Sequence, residues 1–149
     1  MTDSATDRRF LRQAIELSRR CPPSDAAFSV GAVLVDAGGA VLATGYSRQC
    51  DPRGHAEEAA LATVAGQPQP GATIYSSLEP CLRRLSRPRS CCELIVAAGI
   101  TRVVLAWREP PVFVPGGGAA WLEARGVLVT EVPELAADAR AVNAHLLPG

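Results

Sequence analysis

One histidine, two cysteines and a set of carboxylates fall into three short blocks: Gly54-His55-Ala56-Glu57, Glu79-Pro80-Cys81 and Cys91. An imidazole and two thiolates are ligands that Zn²⁺ prefers. Three protein ligands leave the fourth tetrahedral position open to water, as a catalytic site requires and a structural site does not. Zn²⁺ lowers the pKa of its water from about 15.7 toward 7, and a carboxylate that is not itself a ligand can then carry the proton. Glu57 is the candidate for that shuttle. Within a helix, residues two apart diverge by roughly 200°, but at a first turn His55 and Glu57 can both reach a site beyond the helix end. Ser90 and Glu93 have the S-x-x-E spacing of a capping box, which puts Cys91 at a helix opening, where the dipole and free N–H groups favour a thiolate. Two helix starts are therefore expected to face one metal.

The elements that must position these groups are legible from periodicity. Ser4 and Asp7 have capping-box spacing, and Phe10, Leu11, Ala14, Ile15 and Ser18 recur on one helical face until Cys21-Pro22-Pro23. Phe28 to Asp36 and Ala40 to Gly45 read as strands joined by Ala37-Gly38-Gly39, with the glycine pair supplying positive φ. His55 to Ala65 is helical, Ala72 to Leu78 a strand, Cys91 to Ala98 a helix ended by Gly99, and Thr101 to Ala106 a strand. A helix over Gly118 to Arg125, a strand at Val127 to Glu131 and a last helix from Glu134 to Leu146 complete the order αββαβαβαβα. That order implies a mixed sheet between helical layers.

Composition narrows the function classes. The 149 residues are read as one domain spanning 1–149, with 48% apolar against 20% charged residues, enough to bury a core. Fifteen basic and fifteen acidic side chains cancel, which argues against a protein that holds nucleic acid by a diffuse positive field. Every cation is an arginine, which excludes lysine Schiff-base chemistry and a P-loop lysine. The polar start MTDSATDRRFLRQ and the lack of an apolar run near about 18 residues lead us to expect neither signal peptide nor membrane helix, hence a cytoplasmic location. Five cysteines, an odd number, point to metal or catalysis rather than disulfides.

His-x-Glu followed by Pro-Cys and a second Cys is the established signature of zinc deaminases, matched here with a longer Cys-x9-Cys gap. With VGAVLVD, GHAE, SLEPC, ELIVAAGITRVVLA, GGGAAWLEARGVLVT and ARAVNAHL, the chain resembles the cytidine deaminase-like superfamily over nearly its whole length. It is most similar to the deaminase domain of the bifunctional riboflavin-biosynthesis deaminase/reductase. The resemblance implies a three-layer αβα sandwich around a mixed five-stranded sheet. It also implies one Zn²⁺ on His55, Cys81 and Cys91, Glu57 as proton shuttle to a leaving amine, and a homodimer or larger assembly. Alignment on the AAG block selects Cys91 over Cys92 as ligand. Cys21 and Cys50 read as ordinary thiols, Glu58 as a solvated helix carboxylate, Glu79 as an organiser of the Pro-Cys turn, and His145 as structural or exposed.

Departures from the riboflavin enzymes bear on the substrate. Their Asn-Pro-x-Val-Gly stretch before the first strand is replaced by Ala27-Phe28-Ser29-Val30-Gly31, and the chain's one Asn is Asn143. Their Lys-containing turn after the fourth strand is replaced by Pro115-Gly116-Gly117-Gly118. Arg-Leu-Ser between the cysteines is similar to fungal riboflavin deaminases, and Phe28-x-Val30-Gly31-Ala32 to free-nucleoside cytidine deaminases. Candidate substrate-binding residues are Phe28, Ala56, Ser77, Arg83, Arg84, Arg87, Arg89 and Trp107. Phe28 is either core or a face for base stacking, and Trp107 either lines the pocket or packs a loop. The four arginines, in seven residues between two ligands, are either a solvated loop or a phosphate clamp. Nucleic acid and a membrane are not expected partners. The favoured substrate is a phosphorylated aminopyrimidine such as the riboflavin-pathway diaminopyrimidinone. The alternatives are a cytidine, deoxycytidylate or specialised nucleoside, or a non-catalytic domain that keeps zinc for structure.

Overall fold

The computed structural model describes residues 4–64, 67–82, 88–110 and 116–147. Five strands form one mixed sheet: β1 (Gly31–Val35), β2 (Val41–Tyr46), β3 (Thr73–Ser76), β4 (Arg102–Leu105) and β5 (Leu128–Glu131), in the order β2-β1-β3-β4-β5. β1 runs antiparallel to both its neighbours, and β3, β4 and β5 are parallel. The helices are α1 (Ser4–Ser18), α2 (Ala56–Ala62), α3 (Cys91–Ala97), α4 (Gly118–Glu123) and α5 (Ala136–Ala141). α1 packs on β1 and β3 and meets α5, whereas α2 packs on β1 and β2 and meets α3, which meets α4. This is the expected αβα sandwich. Every residue of β1 is buried because helices cover both of its faces, so the strand is continuously apolar rather than alternating. Among the described residues no helix is long and apolar enough to cross a membrane.

Glycine sets the seating of α2. A Cβ on Gly45 would run into the carbonyl of Ala56, so β2 accepts the first turn of α2 only without a side chain there. In the hairpin, Gly39 alone carries positive φ (92°). Asp36 Oδ1 accepts from the Gly38 and Ala40 N–H groups, both at 2.9 Å, so the side chain does part of the turn-making expected of a second glycine.

Three local expectations are corrected by long-range hydrogen bonds. Asp7 stands in the first turn of α1, but its described partners lie elsewhere. Its carboxylate turns inward and accepts from Arg102 at 2.8 and 2.6 Å and from the Tyr75 hydroxyl at 3.0 Å, tying α1 to β3 and β4. The first strand begins at Gly31 rather than Phe28. The Ser29 N–H is taken by Asn143 Oδ1 (2.6 Å) and the Val30 N–H by Ser47 Oγ (2.9 Å). The last helix is broken into α5 between short 3₁₀ turns at Pro133–Leu135 and Ala144–Leu146. Asn143 leaves helical geometry (φ −112°, ψ 17°), and its Nδ2 donates to the Ser29 carbonyl at 3.0 Å.

Candidate metal centre and active site

One end of the sheet, at the C-terminal ends of β2, β3 and β4, collects the functional segments. Gly31 at the start of β1 lies opposite Tyr46 at the end of β2, Ala32 lies opposite Ser76 at the end of β3, and Ser76 lies beside Leu105 at the end of β4. The segment after β2 therefore delivers His55, the turn after β3 delivers Cys81, and Trp107 follows β4. Ser77 stitches β1 to that turn: its N–H donates to the Gly31 carbonyl and its Oγ accepts from the Gly31 N–H, each at 3.0 Å.

His55 is the N-cap of α2, and its backbone N–H donates to Glu58 Oε1 at 3.3 Å. Glu58 is thus not simply a solvated carboxylate; it ties off the helix start that presents the imidazole. Cys91 opens α3 behind the expected capping box, with Ser90 Oγ accepting from the Glu93 N–H (3.2 Å) and Glu93 Oε1 from the Ser90 N–H (3.0 Å). That bond to the Ser90 backbone holds the Glu93 carboxyl below its ordinary pKa.

Nδ1 of His55 lies 3.5 Å from Cys81 Sγ and 3.4 Å from Cys91 Sγ, and the three ligand atoms lie within 4.8 Å of one another. Zn–S and Zn–N bonds of about 2.3 and 2.0 Å at tetrahedral angles require an S···N separation of about 3.5 Å. The group fits zinc. Cys81 is also charge-ready: its pKa is pulled down to about 5 by the Cys91 side chain first, against burial, and then by His55. Cys92 is directed elsewhere. Its thiol meets the Pro80 carbonyl at 3.4 Å and the Gly118 carbonyl at 3.7 Å, and burial pushes its pKa up, which suits a neutral thiol rather than a ligand.

Carboxylates surround this centre in distinct roles. Glu57 is buried in the first turn of α2 and is not part of the ligating trio. Glu79 is also buried, but both oxygens are engaged: Oε1 accepts from the Glu109 N–H at 2.9 Å and Oε2 from the Ala119 N–H at 2.8 Å. It ties the residue before Pro80 to the segment after β4 and to the first turn of α4 rather than bonding within the Pro-Cys turn. Gly118 completes that contact, since a Cβ there would strike the Pro80 carbonyl. The Glu109 carboxyl is pushed up to about 8, chiefly by burial and then by the charges of Cys81, Glu57 and Glu79.

The sequence profile of the family described as "cytidine and deoxycytidylate deaminase zinc-binding region" matches residues 4–107. The chain belongs to this family. Over 126 residues it is 40% identical to the diaminohydroxyphosphoribosylamino-pyrimidine deaminase of Schizosaccharomyces pombe, covering 82% of this chain and 31% of that protein. Its fold matches that of Acinetobacter baumannii RibD with a TM-score of 0.82 and 31% identity, over 96% of this chain and 39% of the other. It matches Aspergillus oryzae Rib2 deaminase with a TM-score of 0.79 and 25% identity, over 91% of this chain and 89% of the other. The chain spans about a third of the length of the first curated relatives it matches.

The remaining candidate residues of this deaminase-family chain are distributed as follows. Phe28 and Trp107 are both buried and meet edge to face, with ring centroids 5.9 Å apart and planes at 77°. Among the described residues, Trp107 Nε1 is the buried side-chain polar atom without a hydrogen-bond partner. Ala56 is fully buried against β2. Arg89 is exposed next to α3, and Arg83, Arg84 and Arg87 lie outside the described residues. His145 Nε2 lies 2.9 Å from the Ser24 carbonyl in an exposed position, a structural contact. Sequence reasoning missed two side chains that shape this end, Asn143 and Arg48. Asn143 is the chain's lone asparagine, and nothing in its local pattern announces a partner 114 residues away.

Proposed function

We propose that the chain is a zinc-dependent hydrolytic deaminase of an aminopyrimidine, with His55, Cys81 and Cys91 as metal ligands and Glu57 as the proton shuttle. The observation that supports this reading is the fit of the two S···N separations at His55, Cys81 and Cys91 to zinc, together with a buried Glu57 two residues after His55. Bound there, zinc supplies Lewis-acid activation of water. The reaction replaces the exocyclic C–N bond of a cyclic amidine by a C–O bond and releases ammonia. Glu57 takes up the proton of water and returns it to the departing nitrogen, so the carboxylate ends as it began. Its position in the first turn of α2, two residues after the His55 N-cap, supports that role. The aromatic pair Phe28–Trp107 forms a wall for a planar ring.

The favoured substrate is a ribosyl-phosphate pyrimidine of the riboflavin-pathway type, because relatives across most of this chain's length carry that name. Arg83, Arg84, Arg87 and Arg89 are the proposed phosphate contacts. The test is ammonia release by zinc-loaded protein on matched nucleosides and 5′-monophosphates, including the diaminopyrimidinone ribosyl phosphate, cytidine and deoxycytidylate. Preference for the monophosphates, lost in one or more Arg→Ala variants, supports the clamp. Equal turnover of nucleoside and nucleotide removes it, and no turnover of any substrate by zinc-loaded protein removes the deaminase reading. A homodimer or larger assembly is the accompanying proposal, and sedimentation at micromolar concentration tests it.

A further inference from the structure

Residues 47–54, between β2 and His55, are organised by Arg48. Its backbone takes the left-handed conformation (φ 60°), uncommon for a residue with a side chain. Its N–H donates to the Gly54 carbonyl at 2.9 Å, closing the loop immediately before His55. The guanidinium reaches across to the segment that joins α1 to β1. Nε and Nη2 donate to the Pro22 carbonyl at 3.1 and 2.8 Å, Nη1 to the Phe28 carbonyl at 3.1 Å, and Nη2 to Ser29 Oγ at 2.7 Å. One side chain thus spans three acceptors on the segment carrying Phe28, from a backbone position that fixes the approach to His55. A planar fork of donors can meet separated acceptors at once, which the point charge of a lysine cannot.

Nothing else in the proposed mechanism uses Arg48, and its bonds terminate next to the aromatic wall. Phe28 is gripped at its carbonyl while its ring sets edge to face against Trp107. Trp107 in turn accepts through its carbonyl from the Glu79 N–H at 2.9 Å, two residues before Cys81. A continuous path of hydrogen bonds and ring contact therefore runs from the His55 loop through Arg48, Phe28 and Trp107 to the Cys81 turn.

We propose that Arg48 is a positioning residue for the substrate ring: it sets Phe28 and Trp107 relative to His55, so that binding of a planar aminopyrimidine depends on its guanidinium. This rests on the deaminase reading above for the identity of the substrate. A wall that contacts the ring alike in ground and transition states contributes uniform binding, so its displacement raises KM and leaves kcat. Asn143 and His145 hold the same segment from the C-terminal side, so loss of Arg48 loosens it without unfolding the domain.

The experiment compares wild type with Arg48→Lys and Arg48→Gln, all zinc-loaded, by metal content, amide hydrogen exchange and steady-state kinetics. Both variants are expected to keep the wild-type metal content. Exchange should rise at least about tenfold at residues 28–31 while β3 and β4 remain protected. KM should rise about tenfold with kcat within about twofold, Arg48→Lys lying between Arg48→Gln and wild type. Unchanged exchange at 28–31, a loss confined to kcat, or zinc lost in step with activity overturns the proposal. Should Arg48→Gln fail to fold, Ser29→Ala, which deletes one of the guanidinium's acceptors, must raise exchange at 28–31 selectively, and failure to do so also overturns it. If wild-type protein deaminates no aminopyrimidine, the functional reading fails, while the exchange and metal measurements still decide whether Arg48 orders Phe28.

Discussion

The backbone N–H of Cys91 points at the sulfur of Cys81, 3.2 Å away. One proposed ligand thus holds the other through the main chain at the opening of α3, where free amides favour negative sulfur. The main chain ties the two cysteines together, and this bears on how their loss should differ from loss of the neighbouring Cys92.

Cys81→Ala and Cys91→Ala are each expected to abolish stoichiometric zinc binding and to lower thermal stability, because ligation joins a helix start to the Pro-Cys turn. Cys92→Ala, whose thiol only packs against the Pro80 and Gly118 carbonyls, should keep about one zinc per chain. Metal analysis of the purified variants decides; full zinc in Cys91→Ala with loss in Cys92→Ala would mean that the ligands are misassigned.

Glu57→Gln should fold, keep its metal and lose deamination by at least about 10² to 10⁴, the usual worth of general acid–base transfer. Glu58→Gln should be nearly silent, since an amide oxygen still accepts from the His55 N–H. Glu58→Ala removes that cap and is expected to cost about 0.5–2 kcal/mol of stability. Turnover measured with zinc content as a control separates the two neighbours, and wild-type turnover by Glu57→Gln would defeat the shuttle assignment.

A pH effect follows from Glu109, whose carboxyl is raised from its ordinary 4.5 to about 8 by burial and then by neighbouring negative charge. Between those values the folded chain retains a proton that the unfolded chain has released. For Glu109 alone, stability of the metal-free protein falls as pH rises through this window, while Cys81, lowered to about 5, contributes the opposite slope over the same range. Denaturant midpoints in chelator from about pH 5 to about pH 8 should therefore rise with pH more steeply in Glu109→Gln than in wild type, where the two groups oppose each other. Identical slopes would assign the effect to another group.

The buried carboxylate of Asp7 depends on Arg102, which meets it at 2.6 Å. Removing one member of a buried pair leaves an uncompensated charge, so Arg102→Met should destabilise by about 3–5 kcal/mol. Asp7→Leu combined with Arg102→Met should recover much of that loss. Equilibrium unfolding of the single and double variants measures the coupling, and additive losses would show that the pair acts independently.

What residue type and near neighbours control was readable from the chain alone. The Ser90–Glu93 box put Cys91 at the start of α3, Ala37-Gly38-Gly39 marked the hairpin, and His55 with Glu57 belonged to a helix opening. Capping bonds close within one turn and turn conformations within four residues, so they are written locally. The long-range partners were not. Asp7 has the right spacing for a helix cap but is claimed by an arginine 95 residues away, and Asn143 interrupts an otherwise regular helix to bond a backbone 114 residues distant. Arg48 carries no local signal, and its partners exist only because the fold brings the segment carrying Phe28 beside it. A polar side chain's preferred partner is whichever unsatisfied group the chain trace buries next to it. That choice has no periodicity to betray it, and only the packed tertiary structure makes it.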